Sequence, residues 1–323
     1  MDAEATSQPA APRDSRSMNQ ARFLILRGGA IGDLILTLPV LQALRARWPD
    51  AHIELVGYPR TNALVESVGL ADKTHSLDGA GIVNLYIPDV DLPLKMARWL
   101  SEFSLAIHFL DQADVTTNLG EYLPQVIARS PMPPPGVHAC DHYLGALEEL
   151  AIFESGLAPR ILALAESFDP APVAIHPGSG GAHKIWPLKH YLELAAYIES
   201  AHGLSVLWVL GEADREITRQ LAAKVPEQQR MDNLPLAELA RVLAGCRLFV
   251  GNDSGIAHLA AAVGTPVVVL FGPSDPAQWA PRGPRVAVVR SASGLIGYLG
   301  TDLVREAVDE VLADGTPSPE SES

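Results

Sequence analysis

The feature that most constrains the fold is an apolar run that opens into glycines and continues as a helical repeat. Arg22 to Leu26 is the mainly apolar run, Gly28 to Asp33 follows it, and Leu34 to Ala46 carries apolar residues at helical spacing. This order predicts a strand, a glycine loop and a helix. His52 to Val56 and Leu105 to Phe109 predict further strands between helical pieces, and that alternation indicates a parallel sheet.

The second half of the chain repeats this alternation. Predicted strands are Val173 to His176, Ser205 to Leu210, Leu248 to Val250 and Val267 to Phe271, and predicted helices are Leu188 to Ala201, Asp214 to Ala223, Leu236 to Ala244, Ile256 to Val263 and Thr301 to Leu312. A chain of 323 residues suits two domains of about 150 residues each. We place the boundary at the proline-containing linker, which gives domains at residues 21–168 and 169–313. Residues 1–20 and 314–323 are predicted to be disordered tails.

Composition excludes several classes of protein. No apolar run approaches the roughly 20 residues that span a bilayer, and the first 20 residues lack the apolar core of a secretory signal. The net charge of −14 and the absence of basic clusters argue against nucleic acid as a partner. Cys140 and Cys246 stand alone, without the spacing of metal ligands.

The first glycine loop follows the first strand, where glycines let the backbone approach a phosphate. A complete G-x-G-x-x-G cannot be placed there, and Gly57 to Arg60 offers no carboxylate for a ribose diol, so an NAD-dependent oxidoreductase is disfavoured. A fixed carboxylate at Asp33 would also repel a pyrophosphate from this helix N-terminus. Asp33 suits a general base, and a simple role in capping the helix stays open.

The second loop, His176 to Pro187, again lies between a predicted strand and a predicted helix. Its small residues expose amide donors, and Lys184 adds a positive charge where a diphosphate would lie. We therefore interpret this loop as an anion site. His176 and His183 have no carboxylate in helical register, so the loop predicts no metal site.

The third loop joins the strand that ends at Val250 to a helix whose first turn presents free amides. Ser254 and Gly255 are candidates for phosphate binding. Asp253 can instead cap the helix and His258 can pack in the core, so this loop alone is ambiguous.

Short motifs extend from Arg22 to about Arg290: Gly32-Asp33 with Thr37-Leu38-Pro39, His176-Pro177-Gly178 with Lys184 and Trp186-Pro187, Asp253-Ser254-Gly255 with His258-Leu259-Ala260-Ala261, and Gly272-Pro273-Ser274-Asp275-Pro276. Together they resemble glycosyltransferase family 9, the ADP-heptose:lipopolysaccharide heptosyltransferase family. The resemblance implies a GT-B fold, in which two Rossmann-like α/β domains with parallel sheets face each other across a cleft. It implies an inverting enzyme that moves heptose from ADP-heptose onto lipopolysaccharide inner core, with the donor nucleotide held by the second domain.

Carried over by motif position, the resemblance gives roles to single residues. Asp33 would be the catalytic base, and Lys184 would neutralise charge on the departing ADP. Neither a cofactor nor an obligatory metal is implied. Arg60 belongs to none of the matched motifs and is predicted to bind the acceptor as a basic residue near the expected acceptor face. The implied donor-binding residues are Ser179, Gly180, Lys184, Asp253, Ser254, Gly255 and His258, with Glu212 or Asp214 at the ribose and Leu234 at the adenine.

The implied partners are a nucleotide-sugar donor and a glycan or lipid-linked glycan acceptor. This predicts a cytoplasmic enzyme with at most peripheral contact at the inner face of the inner membrane. Residues 22–160 hold 10 Lys and Arg against 16 Asp and Glu, whereas family enzymes acting on phosphorylated inner core use basic residues in this domain. The acceptor could therefore be a less anionic glycan or a protein.

Two other functions of the same architecture stay open, a noncatalytic sugar-nucleotide-binding protein and a sugar-nucleotide epimerase. The acid at Asp33 favours the transferase, because a binding protein needs no base. The sequence leaves the acceptor, the exact donor sugar and the oligomeric state undetermined.

Overall fold

The computed structural model describes residues 21–79 and 81–313, so both predicted tails lie outside the described residues. Two separate parallel sheets organise this part of the chain. The first sheet is built from the N-terminal half and the second from the C-terminal half. This arrangement confirms the predicted α/β fold with two parallel sheets.

The first sheet has five strands in the order β3-β2-β1-β4-β5, and every pair is parallel. Its strands are β1 (Arg22–Arg27), β2 (His52–Gly57), β3 (Lys73–Ser76), β4 (Leu105–Phe109) and β5 (Val126–Ala128). The helices that accompany it are α1 (Ile31–Arg47), α2 (Pro59–Ser67), α3 (Leu94–Leu100), α4 (Ala113–Gly120) and α5 (Ala139–Leu144).

The second sheet has six parallel strands in the order β11-β10-β9-β6-β7-β8. Its strands are β6 (Val173–His176), β7 (Val206–Leu210), β8 (Arg230–Asp232), β9 (Leu248–Asn252), β10 (Val267–Phe271) and β11 (Val286–Arg290). The accompanying helices are α6 (Leu188–His202), α7 (Arg215–Ala222), α8 (Leu236–Ala244), α9 (Gly255–Ala262), α10 (Pro276–Trp279) and α11 (Thr301–Ala313).

The predicted strands are confirmed, and the four strands that the sequence missed are the four sheet edges, β3, β5, β8 and β11. Strands in the middle of a parallel sheet are covered on both faces and have continuous apolar sequences. Edge strands lack that requirement. The β3 sequence Lys-Thr-His-Ser and the β8 sequence Arg-Met-Asp therefore carry no apolar run, whereas the missed strands β5, Val-Ile-Ala, and β11, Val-Ala-Val-Val-Arg, are apolar.

The segment between the two sheets is irregular from Ala151 to the start of β6. Its backbone bonds to second-sheet helices, because Ile161 N–H donates to the Ala262 carbonyl (2.8 Å) and Glu166 N–H donates to the Arg241 carbonyl (2.9 Å). The predicted boundary between residues 168 and 169 stays a prediction, and part of the preceding segment is already attached to the second domain.

The two sheets are joined through helices α1 and α9, which contact each other between them. One buried apolar cluster extends from Phe23 and Ile25 in β1 through both helices to Phe249 in β9. At their first turns the helices approach so closely that a Cβ added at Gly255 would lie 2.7 Å from Ile31 Cβ and 2.9 Å from the Gly32 nitrogen. Gly255 therefore has to be a glycine on steric grounds.

We predict that Gly255→Ala destabilises the protein by about 1–3 kcal/mol, the usual cost of forcing a methyl group into a packed interface. Gly120→Ala is the matched control, because an added Cβ at this helix terminus meets open space. Urea unfolding of both variants checks the prediction. Equal stability of Gly255→Ala and the wild type would show that the helices can separate without loss.

Candidate functional site

The three glycine loops meet at the carboxyl ends of the central strands, where ligands bind in open parallel sheets. The first loop follows β1 in the first sheet, and the other two follow β6 and β9, which are neighbours in the second sheet. Two cavities open between the sheets at this edge. We name them the Asp33 cavity, of about 450 Å³, and the Glu212 cavity, of about 310 Å³.

Most of the predicted site residues line these two cavities. Leu234 lines neither cavity, and its half-buried side chain packs against the apolar cluster instead. Arg60, Glu212 and Asp214 line the Glu212 cavity. The Asp33 cavity is lined by the predicted residues Asp33, Ser179, Gly180, Lys184, Asp253, Ser254, Gly255 and His258.

The two cavities meet at a neck, which we define as the five residues that line both: Ala30, Ser179, Gly180, Ser254 and Gly255. All three loops contribute to it. It also includes Ala30, which directly precedes α1, and Gly255, the first residue of α9, and backbone N–H groups at such helix beginnings lack intrahelical partners. The neck therefore concentrates the donors and helix dipoles that favour an anion.

Asp33 lies inside the first turn of α1, because this helix begins at Ile31 rather than at the predicted Leu34. Its Oδ2 accepts a hydrogen bond from the Ala30 N–H (2.7 Å), so the capping interaction is present. The side chain keeps 31% of its surface exposed and lines the cavity. Gly29, with φ of +94°, leaves room for this carboxylate, since an added Cβ would lie 2.5 Å from Oδ2.

Arg27 is a residue of this site that the sequence analysis did not assign. It ends β1, is buried, and places Nη2 3.2 Å from Asp33 Oδ1 and 2.8 Å from the Tyr143 hydroxyl. The guanidinium also lies 4.7 Å from the centre of the Tyr143 ring. Burial raises the pKa of Tyr143 to about 12, so its hydroxyl stays protonated and donates to the Pro131 carbonyl (2.8 Å). A charged residue ending an apolar strand was the available sequence signal.

Lys184 and Asp253 tie the second loop to the third. The Lys184 Nζ lies 2.7 Å from Asp253 Oδ2, and the side chains are 33% and 8% exposed. Ser179 Oγ donates to the Asp253 carbonyl at 2.9 Å. The ammonium group is therefore already paired while it faces the cavity.

Asn252 is a buried residue that bonds to the second loop, and the sequence analysis did not identify it as a positioning residue. Its buried amide nitrogen donates to the carbonyls of Pro177 (2.9 Å) and Gly178 (3.1 Å). Its Oδ1 accepts from the Trp186 N–H at 3.0 Å. A polar residue at the end of the buried strand β9 was its sequence signal.

An ion pair between the two domains lies at the Glu212 cavity. Arg60 Nη1, from α2, lies 3.9 Å from Glu212 Oε2, whose side chain is 74% exposed. Asp214 is buried, accepts from the Gly211 N–H (2.7 Å) and packs against Gly178. Arg60 thus lies beside Glu212, and its predicted acceptor role remains a prediction.

Comparison with known proteins now adds to this geometry. Residues 151–295 match the model of glycosyltransferase family 9 (heptosyltransferase). A Pseudomonas aeruginosa lipopolysaccharide heptosyltransferase 1 is 38% identical over 127 residues, which cover 39% of this chain and 35% of that protein. Residues 151–295 of the chain are thus similar to glycosyltransferase family 9. The aligned stretch spans about a third of the relative's length.

Solved structures of family 9 proteins share the fold of nearly the whole chain. A family 9 glycosyl transferase from Veillonella parvula superimposes with a TM-score of 0.74 at 20% identity, covering 92% of this chain and 99% of that one. An E. coli heptosyltransferase with ADP-2-deoxy-2-fluoro heptose gives 0.68 at 17% identity, covering 90% and 99%. These likenesses establish the GT-B fold for this chain.

Residues 21–79 and 81–313 contain no cluster of three His, Cys, Asp or Glu side chains arranged to hold a metal ion. The helices in the same ranges are all too short or too polar to span a membrane. Cys140 and Cys246 are buried free thiols.

His258 lines the Asp33 cavity from the first turn of α9, and its Nδ1 finds no partner among the described residues. Burial lowers its pKa to about 4, although the Asp253 carboxylate partly opposes this shift. The imidazole is therefore neutral at pH 7, and Gly32 of the other domain lies against its ring.

The lowered pKa predicts a loss of stability on acidification. Between pH 6.5 and 4 the histidine binds a proton in the unfolded protein but not in the folded protein. The free energy of unfolding therefore decreases as the pH is lowered through this window. From pH 7 to 5 this should amount to about 2 kcal/mol. Urea unfolding of the wild type and of His258→Gln checks it: the wild type should lose that much more than the variant, and parallel pH dependences would contradict the buried neutral form.

Proposed function

We propose that this protein is an inverting glycosyltransferase that moves a sugar, heptose in our assignment, from an ADP-sugar donor to a cell-envelope glycan such as lipopolysaccharide inner core. The observation that carries the proposal is the neck between two cavities, with Asp33 on one side and Glu212 on the other. A nucleoside, a diphosphate and a sugar joined in a line fit a cavity, a neck and a second cavity in that order.

The diphosphate belongs at the neck. Ser254 and Gly255 lie at the beginning of α9, and Ser179 and Gly180 are small residues of the second loop; both kinds of position can bind phosphate through backbone N–H groups. Lys184, beside the neck, would balance the charge that builds on the departing diphosphate. This assignment needs no metal ion to neutralise the leaving group.

The nucleoside then occupies the Glu212 cavity. Of the two acids that the sequence left open, we assign the ribose contact to Glu212, since its carboxylate is exposed. Asp214 is buried and already accepts the Gly211 N–H. Leu234 as an adenine contact remains a prediction.

The sugar lies in the Asp33 cavity beside the carboxylate. The acceptor hydroxyl oxygen attacks the anomeric carbon and forms the new glycosidic bond, while the bond to the β-phosphate oxygen breaks and ADP leaves with the electron pair. Asp33 accepts the hydroxyl proton. A single displacement of this kind inverts the anomeric configuration.

One observation favours a second candidate, a noncatalytic sugar-nucleotide-binding protein of the same fold. Both oxygens of Asp33 have structural partners, the Ala30 N–H and the Arg27 guanidinium, so the residue has a reason to be present without chemistry.

The acceptor also stays a proposal, because the acidic first domain suits a less anionic glycan or a protein as well. We propose a cytoplasmic protein in peripheral contact with the inner membrane.

Asp33→Asn separates the two candidates. Asparagine still offers an oxygen to the Ala30 N–H, so the variant should fold and bind ADP, whereas kcat should fall by about 10²–10⁴ because the base is lost. Transfer from ADP-heptose to a truncated lipopolysaccharide gives kcat, and thermal melts verify folding. Asp302→Asn, in the first turn of the remote helix α11, is the control.

A folded Asp33→Asn protein that keeps more than about a tenth of the wild-type kcat would lie outside the range of general-base catalysis. That result would leave Asp33 as a capping residue. A wild type that binds ADP-heptose and transfers to no acceptor would support the binding protein.

A further inference from the structure

The Asp33 cavity has one large aromatic wall that the proposed chemistry does not use. Trp279, the last residue of α10, lines this cavity together with Leu36 and Ser274. The indole is half-buried and packs against the apolar cluster between the sheets. It is not among the residues that line the neck or the Glu212 cavity.

Helix α10 belongs to the second domain, yet the first domain holds it on both sides of Trp279. Gln278 donates to the Pro134 carbonyl at 2.9 Å, and His138 Nε2 lies 2.9 Å from the Ala280 carbonyl. Arg282 pairs with Asp141 through two nitrogen–oxygen contacts, the longer of 2.7 Å. The chain on both sides of Trp279 is therefore held against the first domain.

This inference rests on the proposed function, in which the donor extends from the Glu212 cavity through the neck. A sugar attached beyond the diphosphate enters the part of the Asp33 cavity that the neck does not share. That part contains Asp33, Lys184 and Asp253 as charged groups and Trp279 as the large apolar surface.

We propose that Trp279 is the stacking wall of the glycosyl subsite, packing against the C–H face of the donor sugar and turning its anomeric carbon toward Asp33. A pyranose presents an apolar C–H face and a rim of hydroxyl groups. An indole buries such a face over a large area at little conformational cost, while a few polar groups at the rim fix the orientation. Lys184, Asp253, Ser274 and His183 are among the polar groups that line this part of the cavity.

Calorimetry with two probes, ADP and ADP-D-β-D-heptose, tests the proposal on three variants. Trp279→Leu keeps apolar volume against the core but removes the ring. Its affinity for ADP-D-β-D-heptose should be about tenfold lower than that of the wild type, and its affinity for ADP less than about twofold lower, because only the sugar touches the ring. Trp279→Phe, which restores a ring, should recover most of the affinity for ADP-D-β-D-heptose.

Gln278→Ala is the matched control in the same helix. It removes the bonds to the first-domain carbonyls of Pro133 and Pro134, while the contacts of Ala280 and Arg282 still hold α10 in place. Both ligands should bind this variant as they bind the wild type.

Three results would overturn the assignment. Equal weakening of ADP and ADP-D-β-D-heptose in Trp279→Leu would place the effect at the neck, and an equal loss in Gln278→Ala would assign it to the position of α10. Unchanged ADP-D-β-D-heptose affinity with a raised acceptor KM would put the acceptor against the ring. Wild-type protein that binds neither probe would instead refute the proposed function, and the subsite with it.

Discussion

The close approach of α1 and α9 at Gly32 and Gly255 is the contact on which the rest of this structure depends. It brings the first turns of two helices from different sheets to the same point, where each leaves backbone N–H groups free. The apolar cluster behind them joins the sheets into one body. The neck between the two cavities is therefore a direct consequence of two residues without side chains. A larger residue at either position would separate the helix termini that we assign to the diphosphate.

Charge in the cleft is arranged in pairs. Arg27 lies beside Asp33, Lys184 beside Asp253, and Arg60 beside Glu212. Each pair combines one basic residue with one acid, so the cleft of an acidic protein offers little net positive charge to an anion. Attraction for a diphosphate must then come from the helix termini and from rearrangement of the Lys184 pair. Such a site favours a ligand that also fills the two cavities over a simple phosphate.

Sequence reasoning found the features that depend on local pattern. Central strands are apolar on both faces, and glycine loops have fixed positions after them, so both could be predicted. The edge strands β3 and β8 carry no such pattern. Arg27 and Trp279 were missed because what makes them part of the site is distant in sequence: Tyr143 follows Arg27 by 116 residues, and the bond from Gln278 to Pro134 spans 144. Sequence alone could not distinguish Glu212 from Asp214, whereas the structure shows that Asp214 is buried and that Glu212 is exposed.

The central claim is that the neck binds a diphosphate beside the Lys184–Asp253 pair. Its most direct test is the ADP dissociation constant, measured by calorimetry for the wild type, Lys184→Met, Asp253→Asn and the double variant. Lys184→Met should weaken ADP by at least about tenfold, because a charge-assisted contact is lost and an unpaired carboxylate then faces the phosphates. The double variant should regain part of that loss, since the carboxylate is gone. A wild-type dissociation constant in a folded Lys184→Met protein would contradict the account.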